Sequence, residues 1–156
     1  MWILSSSRHS TAGILAQDGS INGKELLDHL YRFVNDLYPS AKIISKYSAF
    51  IPSASDPSFY DQPCAGDNWI LVGDAAGHTE PLLGEGIYYA MKSGQLAAQA
   101  ITAGDIIGYD KLWRDCYGNI LKESSINKQN LLVLTDKFGS EAYGAFLYYN
   151  IFMNQL

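Results

Sequence analysis

The segment at residues 68–101, NWILVGDAAGHTEPLLGEGIYYAMKSGQLAAQAI, constrains the fold more than any other part of the chain. Residues 69–72 form a short, continuous apolar run bounded by Asp67-Asn68 and Gly73. That pattern predicts a strand buried on both faces. A glycine-rich loop follows over residues 73–86. A second helix is expected from near Gly84, with Ile87, Ala90, Met91, Gly94, Ala97, Ala98 and Ile101 on its packing face and Gly104 as its stop. Strand, glycine loop and helix in this order imply an α/β arrangement with a loop at the carboxyl end of a strand.

Composition sets the outer limits. The chain has 156 residues, 47% apolar and 17% charged, so a packed core is feasible and one domain's worth of chain is present. The net charge of −5 argues against a nucleic-acid partner and against strong attraction to anionic lipid. No stretch has the length of a membrane span, and no signal-peptide pattern opens the sequence. Cys64 and Cys116 stand far apart without a nearby histidine at ligand spacing. A zinc site and a disulfide framework are therefore not expected, and two unpaired thiols fit a reducing, cytoplasmic compartment.

The flanking regions give a coarser picture. Two short apolar pieces around the polar residues 5–10 read as a hairpin, broken by Asp18-Gly19-Ser20. A helix is expected from Asn22 as N-cap, with Glu25 in capping-box position. Leu26, Leu27, Leu30, Phe33, Val34 and Leu37 follow at helical spacing, and Pro39 ends the element. Residues 42–51 read as a strand, and the proline-rich residues 52–67 as a loop long enough to carry function. Beyond Asp105 the chain reads as helical. Tyr109, Leu112, Trp113, Cys116, Tyr117, Ile120 and Leu121 form one stripe, and residues 131–138 and 142–153 suggest two more helices.

The glycine loop is where chemistry is expected. A strand delivers Asp74 at its end, small residues Ala75-Ala76-Gly77 follow, and Pro81 stiffens the approach to Gly84-Glu85-Gly86. A helix that starts there presents unpaired N–H groups and the positive end of its dipole. Glycines let a ligand approach the backbone closely, and a carboxylate accepts hydrogen bonds from polyol hydroxyls. Such a site suits a ligand with both hydroxyls and an anionic group.

These residues resemble a known family. GDAAG followed by P-L-L-G-E-G-I-Y-Y-A-M-K-S-G is similar to the second flavin-binding motif of geranylgeranyl reductases, within the p-hydroxybenzoate hydroxylase-like flavoproteins. The resemblance implies FAD as cofactor, with Gly73, Asp74, Ala75, Pro81, Gly84, Glu85, Gly86 and Ile87 at its site. Asp74 would hold the ribityl chain, and the helix start would face the pyrimidine edge and a phosphate. Upstream, Trp2 and Gly13 match a substrate-side tryptophan and glycine of the family, while Leu4, Ser5 and Leu15 depart from it.

The implied division is a substrate-domain part at 1–66, a C-terminal part of the FAD domain at 67–104 and a helical region at 105–156. The antiparallel sheet would be substrate-facing, and the strand at 69–72 would insert into the parallel sheet of the FAD domain. The implied activity is reduction of a carbon–carbon double bond in an isoprenoid lipid by hydride from reduced flavin. The G-x-G-x-x-G that binds the ADP half of FAD is absent from this sequence, so the chain reads as the C-terminal portion of a longer flavoprotein, whether a truncated piece, the product of a fragment gene or one whose partner N-terminal FAD-binding half lies elsewhere.

Blander readings stand beside these. Asp74 alone is a turn residue or N-cap, and Glu85 complements the helix dipole. His78 is a candidate proton donor, but a solvated loop histidine is the expectation; Cys64 is expected to be an inert thiol. The aromatic C-terminal helices are expected to pack a core rather than line a prenyl tunnel or touch a membrane peripherally. A flavin monooxygenase or halogenase shares the same motif group, and a non-catalytic partner-binding module is the alternative from another class.

Overall fold

A computed structural model describes residues 1–17 and 19–148. The turn expected at Asp18 and the last turns of the helix expected over 142–153 lie outside them. The chain divides into two compact units, Met1–Ser48 and Ala49–Leu156.

In the first unit, strands β1 (Trp2–Ser5) and β2 (Ser10–Gly13) pair antiparallel, with Trp2 opposite Gly13 and Ser5 opposite Ser10. Ser6 closes the turn, its N–H and hydroxyl both donating to the carbonyl of His9 at 2.9 and 2.7 Å. Helix α1 (Gly23–Leu37) follows. Asn22 caps it, its side-chain oxygen accepting from the N–H groups of Lys24 and Glu25 at 3.1 and 3.0 Å, which satisfies donors that the first helical turn otherwise leaves open. Leu26, Leu27, Leu30, Phe33 and Val34 of α1 are half-buried while Leu37 is exposed, and Lys46 lies 4.9 Å from the centre of the Tyr31 ring.

The strand expected at 42–51 is not formed. Ile44, Tyr47 and Phe50 are 83, 92 and 87% exposed. An apolar run becomes a strand only where a neighbouring strand takes its N–H and C=O groups, and none flanks this run among the described residues.

The second unit opens with the long loop, which is more ordered than its composition predicts. It holds a single 3₁₀ turn at Pro57–Asp61, capped by Asp56, whose side chain accepts from Ser58 N at 2.9 Å. Strands β3 (Ala65–Gly66) and β4 (Trp69–Ile70) then form a two-residue antiparallel pair across Asp67-Asn68. The expected buried strand at 69–72 is therefore corrected in two respects: it is shorter, and Trp69, Leu71 and Val72 are exposed. One antiparallel neighbour covers a two-sided apolar strand on neither face.

A 3₁₀ turn at Gly73–Ala76 leads through the loop to α2 (Ile87–Ala103), which ends at Gly104 in the left-handed conformation, φ 71°. Helix α3 (Tyr109–Trp113), a π-helical turn at Arg114–Gly118 and α4 (Asn119–Phe138) run on without a break. Gly139 separates them from α5 (Ser140–Tyr148). The sheets are thus small and antiparallel, and helices dominate.

The core of this unit joins Tyr60, Cys64, Tyr89, Leu96, Ala97, Ala100, Tyr109, Trp113, Tyr117 and Leu121. Of the expected 109–121 stripe, Cys116 and Ile120 are exposed. Helix α2 buries Tyr89, Ser93, Leu96, Ala97 and Ala100, so that of the expected face Ala97 alone is buried; Ile87 and Met91 are 81 and 74% exposed. The aromatic row of α3 and the π turn supplies the surface against which α2 closes, and Ser93, Ala97 and Ala100 are small enough to allow it. Among the described residues no helix is long and apolar enough to cross a membrane.

Candidate functional site

A cleft of about 580 Å³ lies between the 3₁₀ turn and the start of α2. Ile51, Val72, Gly73, Asp74, Ala75, Thr79, Gly84, Gly86, Ile87 and Ala90 line it. Gly73 opens the turn at φ 54°, a conformation that a side chain disfavours, and Gly77 closes it at φ 67°. Gly73 N–H donates to Ser93 Oγ at 2.9 Å, and Ser93 Oγ donates to the Ala90 carbonyl at 3.1 Å, so the turn is pinned to α2.

Asp74 is exposed to the cleft, and Thr79 Oγ1 donates to its Oδ1 at 3.1 Å. The carboxylate lies against the helix start: a Cβ placed on Gly86 would sit 3.1 Å from Asp74 Oδ1 and 3.5 Å from Thr79 Oγ1. Gly86 is the N-cap of α2, and among the described residues no side chain caps the helix. An exposed carboxylate and the positive end of a helix therefore face one space.

The residues singled out from the sequence divide as follows. Gly73, Asp74, Ala75, Gly84, Gly86 and Ile87 line the cleft together. Pro81 is buried behind it, its carbonyl accepting from Ser53 Oγ at 2.8 Å, and Glu85 is exposed away from the lining, its carbonyl accepting from Glu80 N at 2.8 Å. Trp2 and Gly13 belong to the first unit, where the indole covers Gly13 so closely that a Cβ there would meet it at 2.0 Å. Sequence reasoning passed over Thr79, which orients Asp74, and Ser93, which holds Gly73. A hydroxyl five residues after the aspartate was the available signal for the first; nothing local marked the second.

Behind the loop lies a buried aromatic knot. His78 is fully buried, which overturns the solvated-loop expectation. Its Nδ1 is 2.9 Å from the Tyr117 hydroxyl, its Nε2 is 3.7 Å from Cys64 Sγ, and its ring lies 4.4 Å from that of Trp113. Burial, with the Arg114 charge adding to it, pushes His78 down to about 4, so the ring is neutral at pH 7. Burial pushes the Cys64 thiol up to about 11, and the Tyr117 hydroxyl upward too. Asp110 ties the knot to the long loop, accepting from Cys64 N at 2.9 Å and from Trp113 Nε1 at 3.0 Å. Arg114 pairs with Asp110 at 3.1 Å and donates to the Gln62 carbonyl at 2.7 Å.

Comparison with known proteins adds the following. The chain is 33% identical over 120 residues to a digeranylgeranylglycerophospholipid reductase of Methanosarcina mazei, a match that covers 70% of this chain and 28% of the relative. It is 32% identical over 123 residues to digeranylgeranylglycerophospholipid reductase 1 of Methanococcoides burtonii, covering 73% and 29%. A shorter match, 49% identical over 49 residues, is to a menaquinone reductase of Mycolicibacterium smegmatis, covering 31% and 12%. The chain spans less than a third of the length of the first two relatives. No family model and no solved structure matches it.

Proposed function

The chain is homologous to one segment of the digeranylgeranylglycerophospholipid reductases, and from that premise we propose that it forms the ribityl and pyrimidine side of an FAD site in an isoprenoid reductase. The observation that carries this reading is the meeting of Asp74 with the bare tip of α2 at Gly86 in one cleft. The residues fit the cofactor. An exposed carboxylate, oriented by Thr79, accepts hydrogen bonds from ribityl hydroxyls. The side-chain-free space at Gly86 admits a ring edge next to the backbone, and the helix end favours negative charge there.

When bound and reduced, FAD supplies a hydride to a carbon–carbon double bond. What this chain contributes is binding and orientation. Asp74 would hold the ribityl chain, the α2 tip would favour negative charge at the ring edge, and the Gly73–Ser93–Ala90 bonds keep turn and helix in register. The relatives named above are reductases of isoprenoid lipids and of menaquinone, which favours a reductase over an oxygen-activating enzyme. The ADP-binding half belongs, on this reading, to the remainder of a longer protein.

The test uses FMN, which carries the isoalloxazine and ribityl groups without the adenosine. Quenching of its fluorescence should titrate to saturation with the wild-type chain. Asp74→Ala should weaken the affinity about 10- to 100-fold, as expected for lost charge-assisted hydrogen bonds. Equal affinity in the two proteins, or no uptake by the wild type at millimolar FMN, refutes the assignment.

A further inference from the structure

Glu80 has no part in the motif, yet it makes more hydrogen bonds than any other loop residue near the cleft. Its carboxylate accepts from the N–H of Leu82 at 3.1 Å and from the N–H of Leu83. It also accepts from the hydroxyl of Ser124 on α4. Its own N–H donates to the Glu85 carbonyl at 2.8 Å, and its carbonyl accepts from Gly84 N at 2.9 Å. The loop at residues 80–85 is thus closed at both ends and filled by one side chain. Gly84, at φ 76°, makes the final turn toward the helix.

We propose that Glu80 is a positioning residue for the cleft: its carboxylate locks the loop that ends on Gly84 and Gly86, and through Ser124 it ties the aim of the α2 tip to helix α4. The inference rests on the flavin reading of the cleft. The physical argument is one of donors. Leu82, Leu83 and Gly84 would otherwise offer their N–H groups to solvent or to a ligand, and all three are satisfied inside the loop. The open donors are then those of the helix start, which no side chain among the described residues caps. A carboxylate suits this task because two oxygens accept from two successive N–H groups and still take a hydroxyl. Its charge is felt at Tyr89 in the first turn of α2, so charge alone would make Glu80→Gln favour an anion, and a loss of anion affinity reports lost positioning. Ser53 and Lys128 reinforce the same edge: Lys128 Nζ donates to Ser53 Oγ at 2.7 Å, and Ser53 Oγ donates to the Pro81 carbonyl.

The tests are Glu80→Gln and Ser124→Ala in the full chain. The amide in Glu80→Gln keeps the volume but turns an NH₂ group toward one of the two backbone donors. Amide hydrogen exchange at Leu82, Leu83 and Gly84 should accelerate at least tenfold in Glu80→Gln, with no flavin present, and less in Ser124→Ala. Reduced, anionic FMN should lose about tenfold more affinity in Glu80→Gln than oxidised FMN does. This equals a fall of about 30 mV in the midpoint potential of the bound flavin for a two-electron couple. A residue that served stability alone would weaken both redox forms equally and leave the potential in place.

Unchanged exchange at the three amides, or an unchanged potential with FMN bound, overturns this inference while leaving the cleft reading intact. A wild-type chain that takes up no FMN overturns the cleft reading first, and this inference with it.

Discussion

Acidification should unfasten the second unit through His78. The imidazole is buried among Tyr117, Cys64 and Trp113, with Arg114 nearby, and it stays neutral in the folded protein down to about pH 4. In the unfolded chain it takes a proton near pH 6.5. Between those values the unfolded state binds more protons, so stability is complete above pH 6.5 and is lost as pH falls toward 4. The gap between 6.5 and about 4 is worth about 3 kcal/mol, lost at up to about 1.4 kcal/mol per pH unit. A typical domain has about 5–15 kcal/mol in all.

The assay is urea unfolding followed by near-ultraviolet circular dichroism, at half-unit steps from pH 7 to pH 5, on the wild type and His78→Asn. The asparagine retains a donor and an acceptor but cannot titrate. Carboxylates contribute equally to both proteins, so the difference between the two curves isolates the imidazole. The wild type should lose stability relative to the variant across this window. Parallel curves would refute the argument that burial holds His78 neutral.

The glycines and thiols allow sharper contrasts. Gly73→Ala places a side chain at φ 54° and 3.1 Å from Ala90 Cβ; it should cost about 1–3 kcal/mol and lower the melting temperature by several degrees in calorimetry, and an unchanged melting temperature would contradict it. Gly86→Ala sits at an ordinary φ of −116°, so its melting temperature should stay near that of the wild type. Its methyl group presses on Asp74, however, and FMN affinity should fall about tenfold; a variant that binds FMN normally removes Gly86 from the cleft. Under native conditions iodoacetamide should modify the exposed Cys116 and spare Cys64, which is buried and held protonated. Mass spectrometry showing rapid labelling of Cys64 would contradict the buried knot.

The parts of the fold that were legible in the sequence are those decided by neighbours along the chain. Asn22 caps α1 because its own oxygen reaches two residues on, and Gly104 stops α2 because the left-handed turn needs a glycine there. Asp74 and Gly86 share a cleft because the loop between them is short and tightly turned. What failed to show was decided across distance. Residues 42–51 and 69–72 carry the composition of strands, yet a strand requires a partner, which composition does not supply. The packing face of α2 was misjudged because Tyr109, Trp113 and Tyr117 choose it. His78 lies 39 positions before Tyr117, and Glu80 lies 44 before Ser124. No local pattern announces either meeting.

The wide turn at Arg114–Gly118 carries a consequence of its own. Tyr109, Trp113, Tyr117, Leu121 and Ser125 repeat every four positions, and all are buried. On an ideal α-helix such a row would drift about 40° per step and wind away from the surface it covers. The π turn rotates the chain backward and so acts as a phase corrector for the helix. Winding the same five residues as an ordinary α-helix would advance the rest of α4 by roughly one residue's rotation, about 100°. The hydroxyl of Ser124 would leave Glu80, although every residue of the cleft remained in place. The winding of five backbone residues is in this stretch as exacting as the identity of any side chain.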